Sequence, residues 1–206
     1  GESARYPNQV IPLSFHVTYW DYIGWRDVYA QKAFDKRQSD IAARRHSRSI
    51  YTPQLVLDGK DTRGFGRLER QLRDINRQQP AAGIRLQAQT DDERVVRLDV
   101  RVDVADASRR LDAGLYVALF ENNINSRVGA GENRGKTLEH DHIVREFLGP
   151  LALPSAHAES HHELSVDVPA GVNLSNAGIA VFVQNSSDGS MLQALAVALV
   201  TPSVTP

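Results

Sequence analysis

The second half of the chain alternates between apolar and polar positions with a period of two. Five apolar residues at 96, 98, 100, 102 and 104 are separated by arginines and aspartates, which is typical of a strand with one buried and one exposed face. Further strands are predicted at residues 84–89, 115–121, 137–148, 162–168, 178–184 and 192–200. About seven short strands with polar turns between them predict an antiparallel β-sandwich of immunoglobulin-like type over residues 81–206.

The first half follows different periods. Residues 10–18 form an apolar stretch that predicts a largely buried strand, and residues 27–45 predict a helix with a narrow apolar stripe. Residues 54–57 and 61–65 predict a hairpin about Asp58-Gly59, and residues 67–78 predict an amphipathic helix that ends before Pro80. Residues 1–80 are therefore predicted to form an α/β segment, and the whole chain to be α+β.

Composition excludes several classes of function. The chain has 206 residues and a net charge of -1, with no concentration of Lys and Arg, so we expect neither nucleic acid nor an anionic membrane surface as a partner. No apolar run approaches the roughly 20 residues of a membrane-spanning helix, so we expect a soluble protein from which any export signal has been removed. The sequence contains no cysteine, which excludes thiolate chemistry in these residues.

Thr52-Pro53 stands directly before the predicted hairpin and after a strand and a helix. In proteins with the thioredoxin fold, a cis proline occupies this place, and the residue before it presents backbone groups to an extended substrate. The order of elements favours a cis bond here; the alternative is a trans proline at the start of an edge strand.

Several strings together resemble one bacterial family of exported thioredoxin-like proteins, catalogued as domain of unknown function 1223. In the first half they are Ser14-Phe15-His16-Val17-Thr18-Tyr19-Trp20-Asp21, Gly24-Trp25-Arg26-Asp27, Arg37-Gln38 and Tyr51-Thr52-Pro53-Gln54. In the second half they are Gly131-Glu132-Asn133, Gly135, Thr137-Leu138, His140-Asp141-His142 and Val144-Arg145. The resemblance covers nearly the whole chain.

The chain also departs from the family pattern. Members typically begin with a strand and a Gly-Cys-x-x-Cys-Pro-Pro-Ala-Asp segment that opens a helix, ahead of the segment that starts here at Gly1. The resemblance therefore implies that the first strand and the CxxC helix are absent from this chain. Because an unpaired strand edge is costly, we expect a separate peptide or another copy to fill the gap.

The resemblance implies a periplasmic or secreted protein with a role in thiol–disulfide exchange or redox-linked binding. For the chain as given we expect no catalytic residue and no cofactor, although an upstream cysteine pair would make the protein an oxidoreductase. Two alternatives stay open: a non-catalytic module that binds a protein or peptide partner in the cell envelope, and histidine-based metal binding.

The candidate residues of a substrate groove surround the Thr52-Pro53 position. Aromatic side chains can stack on a flat ligand or line a peptide groove, whereas the alternative is that one or both tryptophans pack as core between helix and sheet. His16, on the predicted first strand, is either a residue that tunes a thiolate in a complete homologue or a hydrogen-bonded core histidine. The groove candidates are Thr52, Pro53, His16, Tyr19, Trp20, Asp21 and Trp25.

Histidines supply the metal-binding hypothesis. His140 and His142 alternate on a predicted strand and so would project from one face, a spacing that two metal-bound imidazoles can use. The alternative is a polar cross-strand ladder in which Asp141 fixes a neighbouring loop. Glu132 and Asn133 are expected to cap the glycine-rich turn. A second candidate cluster comprises His157, His161, His162 and Glu163.

Overall fold

The computed structural model of the protein describes residues 10–47, 49–91, 94–130 and 134–199. Its strands are β1 Val56–Leu57, β2 Lys60–Asp61, β3 Gly83–Thr90, β4 Val95–Asp103, β5 Ala113–Glu121, β6 Ile124–Arg127, β7 Thr137–His140, β8 Ile143–Ala152, β9 Glu159–Asp167, β10 Ala177–Asn185 and β11 Met191–Ala198. Its α-helices are α1 Lys32–Arg44, α2 Leu68–Asn76 and α3 Ala107–Arg110, and 3₁₀ turns cover Thr18–Ile23, Phe65–Arg67 and Leu174–Asn176. The predicted α+β class with antiparallel sheets is confirmed.

Two antiparallel sheets share the main core of the second half. One sheet has the strand order β11-β10-β5-β8 and the other the order β3-β4-β9. The alternation of β4 works as predicted, because Val96, Val100 and Val102 are buried while the arginines between them are exposed. The core of the two sheets joins Leu98, Val100, Leu119, Val181 and Leu192, among other side chains.

Strands β5 and β10 are apolar on both faces, and the reason is that both faces are covered. Leu119 and Val181 point into the core between the sheets, whereas Ala118 and Ala180 belong to a second cluster on the outer face. That second cluster is centred on Phe34 of α1. The four-stranded sheet is therefore sandwiched between the other sheet and the first part of the chain.

The contacts of the first part with the sheet come from three segments. Partly buried Leu13 and Phe15 join the cluster around Phe34. At the tip of the β1–β2 hairpin, Asp58 accepts a 2.7 Å hydrogen bond from the Met191 amide. Gly59, at φ +68°, lies so close to the loop before β11 that a Cβ atom would stand 2.0 Å from a backbone oxygen.

The predicted strand over residues 10–18 is wrong. Within this segment the structure has one isolated bridge, which is parallel and joins Ser14 to Ile143, and a 3₁₀ turn already begins at Thr18. The segment is half-buried rather than buried. An apolar run needs a partner strand to become a ladder, and among the described residues the only β-bridge of this run is with the start of β8.

Other boundaries also differ from the sequence predictions. The first helix begins at Lys32 because Asp27 forms a turn of its own, in which its side chain accepts from the Tyr29 amide at 2.9 Å. The predicted strand at 137–148 is two strands, β7 and β8, separated at His142, whose φ is +59°. The hairpin is confirmed in a shorter form, and β6 and α3 were not predicted. None of the described helices is long and apolar enough to cross a membrane.

Candidate functional site

A cavity of about 1590 Å³ lies between residues 10–17 and the segment 52–59, and we name it the central cavity. Its floor is apolar and is formed by helices α1 and α2 and by the four-stranded sheet. The floor side chains are Phe34, Ile41, Leu68, Leu72, Ala180, Phe182 and Ala194. The central cavity thus has two extended walls and a hydrophobic floor.

The first wall is the segment of residues 10–17. The Ser14 amide donates to the His142 carbonyl at 2.8 Å, and the Ser14 carbonyl accepts from the Val144 amide at 3.0 Å. Because backbone groups of an extended chain point alternately to opposite sides, Leu13 and Phe15 direct theirs away from β8. Within the described part of the chain, no backbone hydrogen bond reaches the amide or carbonyl of either residue.

The second wall is β1 with the residues before it. The Thr62 amide donates to the Leu55 carbonyl at 2.8 Å, and Val56 stands opposite Asp61 in the register. The alternation of an antiparallel ladder then turns the amide and carbonyl of Val56 away from β2. Residues 54–59 line the central cavity and β2 does not, so this outer edge of β1 borders the cavity.

The Thr52–Pro53 bond lies at the start of the second wall and is cis, as predicted. Gln38 of α1 holds this segment: its amide nitrogen donates to the Tyr51 carbonyl at 3.0 Å and to the Gln54 side chain at 2.9 Å. The predicted groove residues Thr52, Pro53 and His16 all line the central cavity. The three residues thus lie at one cavity, although the strand predicted to carry His16 did not form.

Aromatic residues of the 3₁₀ turn form the rim of the cavity. The Trp20 indole N–H donates to the Thr52 hydroxyl at 2.7 Å, and Trp20 is 45% exposed. Its ring stacks on that of Tyr22 at 6.1 Å between centroids. The alternative that Trp20 packs as core is therefore wrong, because its hydrogen bond holds it at the edge.

The remaining loop candidates have supporting roles at the same rim. Trp25 is half-buried and also lines the cavity. The Tyr19 hydroxyl donates to the Gln38 side chain at 3.0 Å, and Asp21 accepts from the Asp27 amide at 3.1 Å. Trp20, Asp21 and Trp25 face the cavity, whereas Tyr19 is not among its lining residues.

Arg37 lines the cavity, although the sequence analysis quoted it only for the family resemblance and did not count it among the groove residues. Its guanidinium carbon lies 5.2 Å from the ring centroid of Phe15, 5.3 Å from Tyr116, 4.9 Å from Phe147 and 5.6 Å from Phe182. Burial lowers the pKa of Arg37 below its ordinary value, and the nearby charge of Arg44 acts in the same direction. Three of the four rings come from distant strands, so no local sequence pattern could have marked this residue.

A polar cluster lies behind the first wall. His16 Nδ1 is 2.6 Å from a carboxylate oxygen of Asp27, and the rings of His140 and Tyr29 lie 5.6 and 5.9 Å from that of His16. Burial alone would raise the pKa of Asp27, but hydrogen bonds from His16 and the Tyr29 amide outweigh it and the pKa is lowered. Burial, reinforced by His16, lowers the pKa of His140. The cluster ties β7 to the first wall.

The prediction that His140 and His142 project from one strand face is wrong, because the turn at His142 separates β7 from β8. His140 contacts the His16 cluster, whereas His142 stacks on Phe120 at 5.7 Å. Asp141 does fix a neighbouring loop, since it accepts from the Asn123 amide at 3.0 Å. The predicted turn-capping residues Glu132 and Asn133 lie outside the described residues.

The second histidine cluster is only partly assembled. His161 and Glu163 share the exposed face of the three-stranded sheet with Asp99, and their ligand atoms lie within 4.8 Å of one another. His161 Nε2 is 2.7 Å from Asp99, but the Arg101 side chain also approaches that carboxylate at 3.8 Å. His162 points inward to Ser160, and His157 precedes β9.

Similar proteins place this arrangement in context. No curated protein matches the chain with significance. HBP35 of Porphyromonas gingivalis is similar in structure, with a TM-score of 0.63 and 16% identity over 85% of this chain, which spans 61% of that chain. A protein of Agrobacterium tumefaciens solved by structural genomics has a TM-score of 0.64 and 19% identity over 100% of this chain and 87% of its own. These similarities establish a shared fold.

The sequence itself identifies a family. The family model described as "protein of unknown function (DUF1223)" matches residues 2–184. The match runs through both walls of the central cavity and most of the two large sheets. The chain therefore belongs to the DUF1223 family.

Proposed function

We propose that this protein binds an extended polypeptide segment in the central cavity by adding it as a strand between the two walls. The observation that carries the proposal is that two backbone edges, each without a partner in the described part of the chain, border the same cavity. Leu13 and Phe15 on one wall and Val56 on the other direct amides and carbonyls away from their existing partners. A strand laid between them would satisfy both edges at once, which is the chemistry of β-augmentation.

The floor supports the same function. An inserted strand would place alternate side chains on the apolar surface of Phe34, Ile41 and Leu72. Main-chain hydrogen bonds would then supply binding energy, while the floor would select apolar side chains at every second position. At the rim of the cavity, the Trp20 ring, hydrogen-bonded to Thr52, offers an aromatic surface at one end of the strand.

We also propose the finer architecture. Residues 1–80 form a thioredoxin-like unit, supported by the succession of α1, the β1–β2 hairpin and α2. Residues 81–206 form an immunoglobulin-like sandwich, supported by the pairing of β3, β4 and β9 in one sheet and of β5, β10 and β11 in the other, which is the order of strands A, B, E and C, F, G.

The cellular setting rests on the family resemblance. We place the protein in the periplasm or outside the cell, with a role in redox-linked binding. Because the 206 residues contain no cysteine, we propose no dithiol step for them. Strand binding is a function that the cavity supports without any dithiol step.

A selection experiment with chemically blocked peptides tests strand binding. A displayed random library of peptides of about twelve residues is selected on the full chain, and the best peptide is resynthesised with single N-methyl groups along its backbone. A strand paired on both sides uses every central amide, so each N-methyl group should weaken binding by about fivefold, or about 1 kcal/mol.

The pattern of losses decides the outcome. Losses at every second residue would mean that one wall alone pairs with the peptide, which contradicts insertion between the walls. Losses at no residue, or failure to select any peptide that protects the wall amides from exchange, would overturn strand binding altogether. Side-chain-matched peptides without N-methyl groups are the controls.

A further inference from the structure

Arg37 brings a positive charge to the central cavity. It lies in the middle of α1 and lines the cavity beside Phe182 and Gln184. Four aromatic rings pack around its guanidinium group at 4.9 to 5.6 Å from the central carbon. Rings of this kind hold a cation by its faces and fix its orientation, but they do not use its N–H groups.

The hydrogen-bonding capacity of Arg37 is only partly used. A guanidinium group carries five N–H donors; here Nη2 donates to Gln184 at 3.3 Å, and the Tyr116 hydroxyl is a further hydrogen-bonding partner. Among the described residues, no carboxylate lies within the 4.0 Å of an ion pair with it. Asp40, one turn further along α1, pairs with Lys36 at 2.7 Å instead. Within the residues that the structure describes, Arg37 is therefore an oriented cation in the cavity without a carboxylate counter-ion.

We propose that the segment bound in the central cavity carries an Asp or Glu side chain that pairs with Arg37. The inference rests on the proposed strand binding and adds the chemistry of the partner. Carboxylate matches the planar fork of guanidinium in a bidentate pair, and the apolar floor would exclude water from it. The partner is thus an extended segment with apolar residues at alternate positions and one acidic residue at a fixed place among them.

Parallel selections test this inference. The displayed peptide library, with its C-termini blocked so that only side chains supply carboxylates, is selected on the wild type, on Arg37→Gln and on Arg70→Gln. The last variant removes an exposed arginine of α2 that does not line the cavity. We expect an acidic residue at one fixed position in peptides from the wild type and Arg70→Gln, and no such enrichment on Arg37→Gln.

A peptide substitution gives the quantitative result on unaltered protein. Changing the enriched Glu to Gln should weaken binding to the wild type by at least about tenfold, because a charge-assisted pair is lost. It should leave the affinity for Arg37→Gln unchanged. Arg37→Lys keeps the charge without the planar fork and should recover part of the preference for Glu. Should Arg37→Gln fail to fold, the wild-type comparison decides alone.

The outcomes separate this inference from the function on which it rests. Peptides that protect the wall amides but show no acidic preference, or that bind equally with Glu and Gln, would overturn the pairing with Arg37 and leave strand binding intact. Absence of any peptide that protects the wall amides would overturn both. Sedimentation showing a dimer that excludes peptide from the cavity would identify a second copy as occupant and refute the separate acidic partner.

Discussion

Phe34→Ala tests how the first part of the chain is attached to the sheet. Phe34 is 1% exposed and makes edge-to-face contacts with Phe15 at 5.1 Å and Phe147 at 6.5 Å. It also packs on Ala118 and Ala180 of the sheet. No other α1 side chain is as deeply buried in the described structure. Its removal should therefore loosen α1 while leaving the core between the sheets intact.

The expected loss is large on the scale of domain stability. Truncation of a buried phenylalanine costs about 3–5 kcal/mol, and the two aromatic contacts favour the upper half of that range. With a urea dependence of about 2 kcal/mol per molar, a loss of about 4 kcal/mol lowers the unfolding midpoint of the affected part by about 2 M.

Two spectroscopic probes separate the parts of the chain. Both tryptophans, Trp20 and Trp25, lie in the first part, so their fluorescence reports its unfolding. Far-ultraviolet circular dichroism reports mainly the strands of the two large sheets. Phe34→Ala should shift the fluorescence transition to lower urea and leave the circular dichroism transition in place. Tyr22→Ala, at a position that is 78% exposed, is the control and should shift neither.

The reasoning is refuted by either of two results. A fluorescence shift below about 0.5 M would mean that Phe34 contributes little to attachment. Equal shifts of both transitions would mean that α1 and the sheets unfold as one unit, which contradicts the proposed division near residue 80.

Three further substitutions test other contacts. Gly59→Ala puts a methyl group against the backbone of Gly189. In a urea titration it should lower the free energy of unfolding by about 1–3 kcal/mol more than Gly64→Ala, a control that shares the positive φ but has open space around it. Equal losses would contradict the tight contact. Glu121→Ala leaves half-buried Arg145 without its partner and should cost about 3–5 kcal/mol. Glu121→Gln keeps an acceptor for Arg145 and should cost less, and the reverse order would contradict the contribution of this contact. The pKa of His140 lies below its ordinary 6.5 because burial disfavours the charged form, so stability should decline as pH falls below about 6.5. His140→Asn should make the unfolding midpoint less sensitive to pH in that range, and an unchanged pH profile would refute this contribution.

Much of the fold follows from sequence patterns that report burial. The alternation of β4 and the continuous apolar runs of β5 and β10 identified their strands, and the runs reflect coverage of both sheet faces. The amphipathic period of α2 located that helix within two residues. These elements were predictable because their own side chains decide their conformation.

The failures share a different physical cause, which is dependence on a partner. Residues 10–18 have the apolar content of a strand, but strand structure requires a neighbouring edge that pattern alone cannot supply. The environment of Arg37 is built from rings on β5, β8 and β10, far away in sequence. The sequence pattern predicts the same strand face for His140 and His142, but the turn between β7 and β8 gives their side chains different neighbours. Thr52, Pro53 and His16 could be predicted to lie near one another because the order of elements, rather than any single residue, indicated it.

Backbone hydrogen exchange at the two walls tests the central claim most directly. Residue-specific exchange rates are measured by NMR for the full chain, alone and saturated with the selected peptide. Strand insertion predicts that the amides of Leu13, Phe15 and Val56 exchange rapidly alone and become protected together on binding. Protection of these amides without peptide, or peptide binding that leaves either wall unprotected, would contradict insertion between the walls.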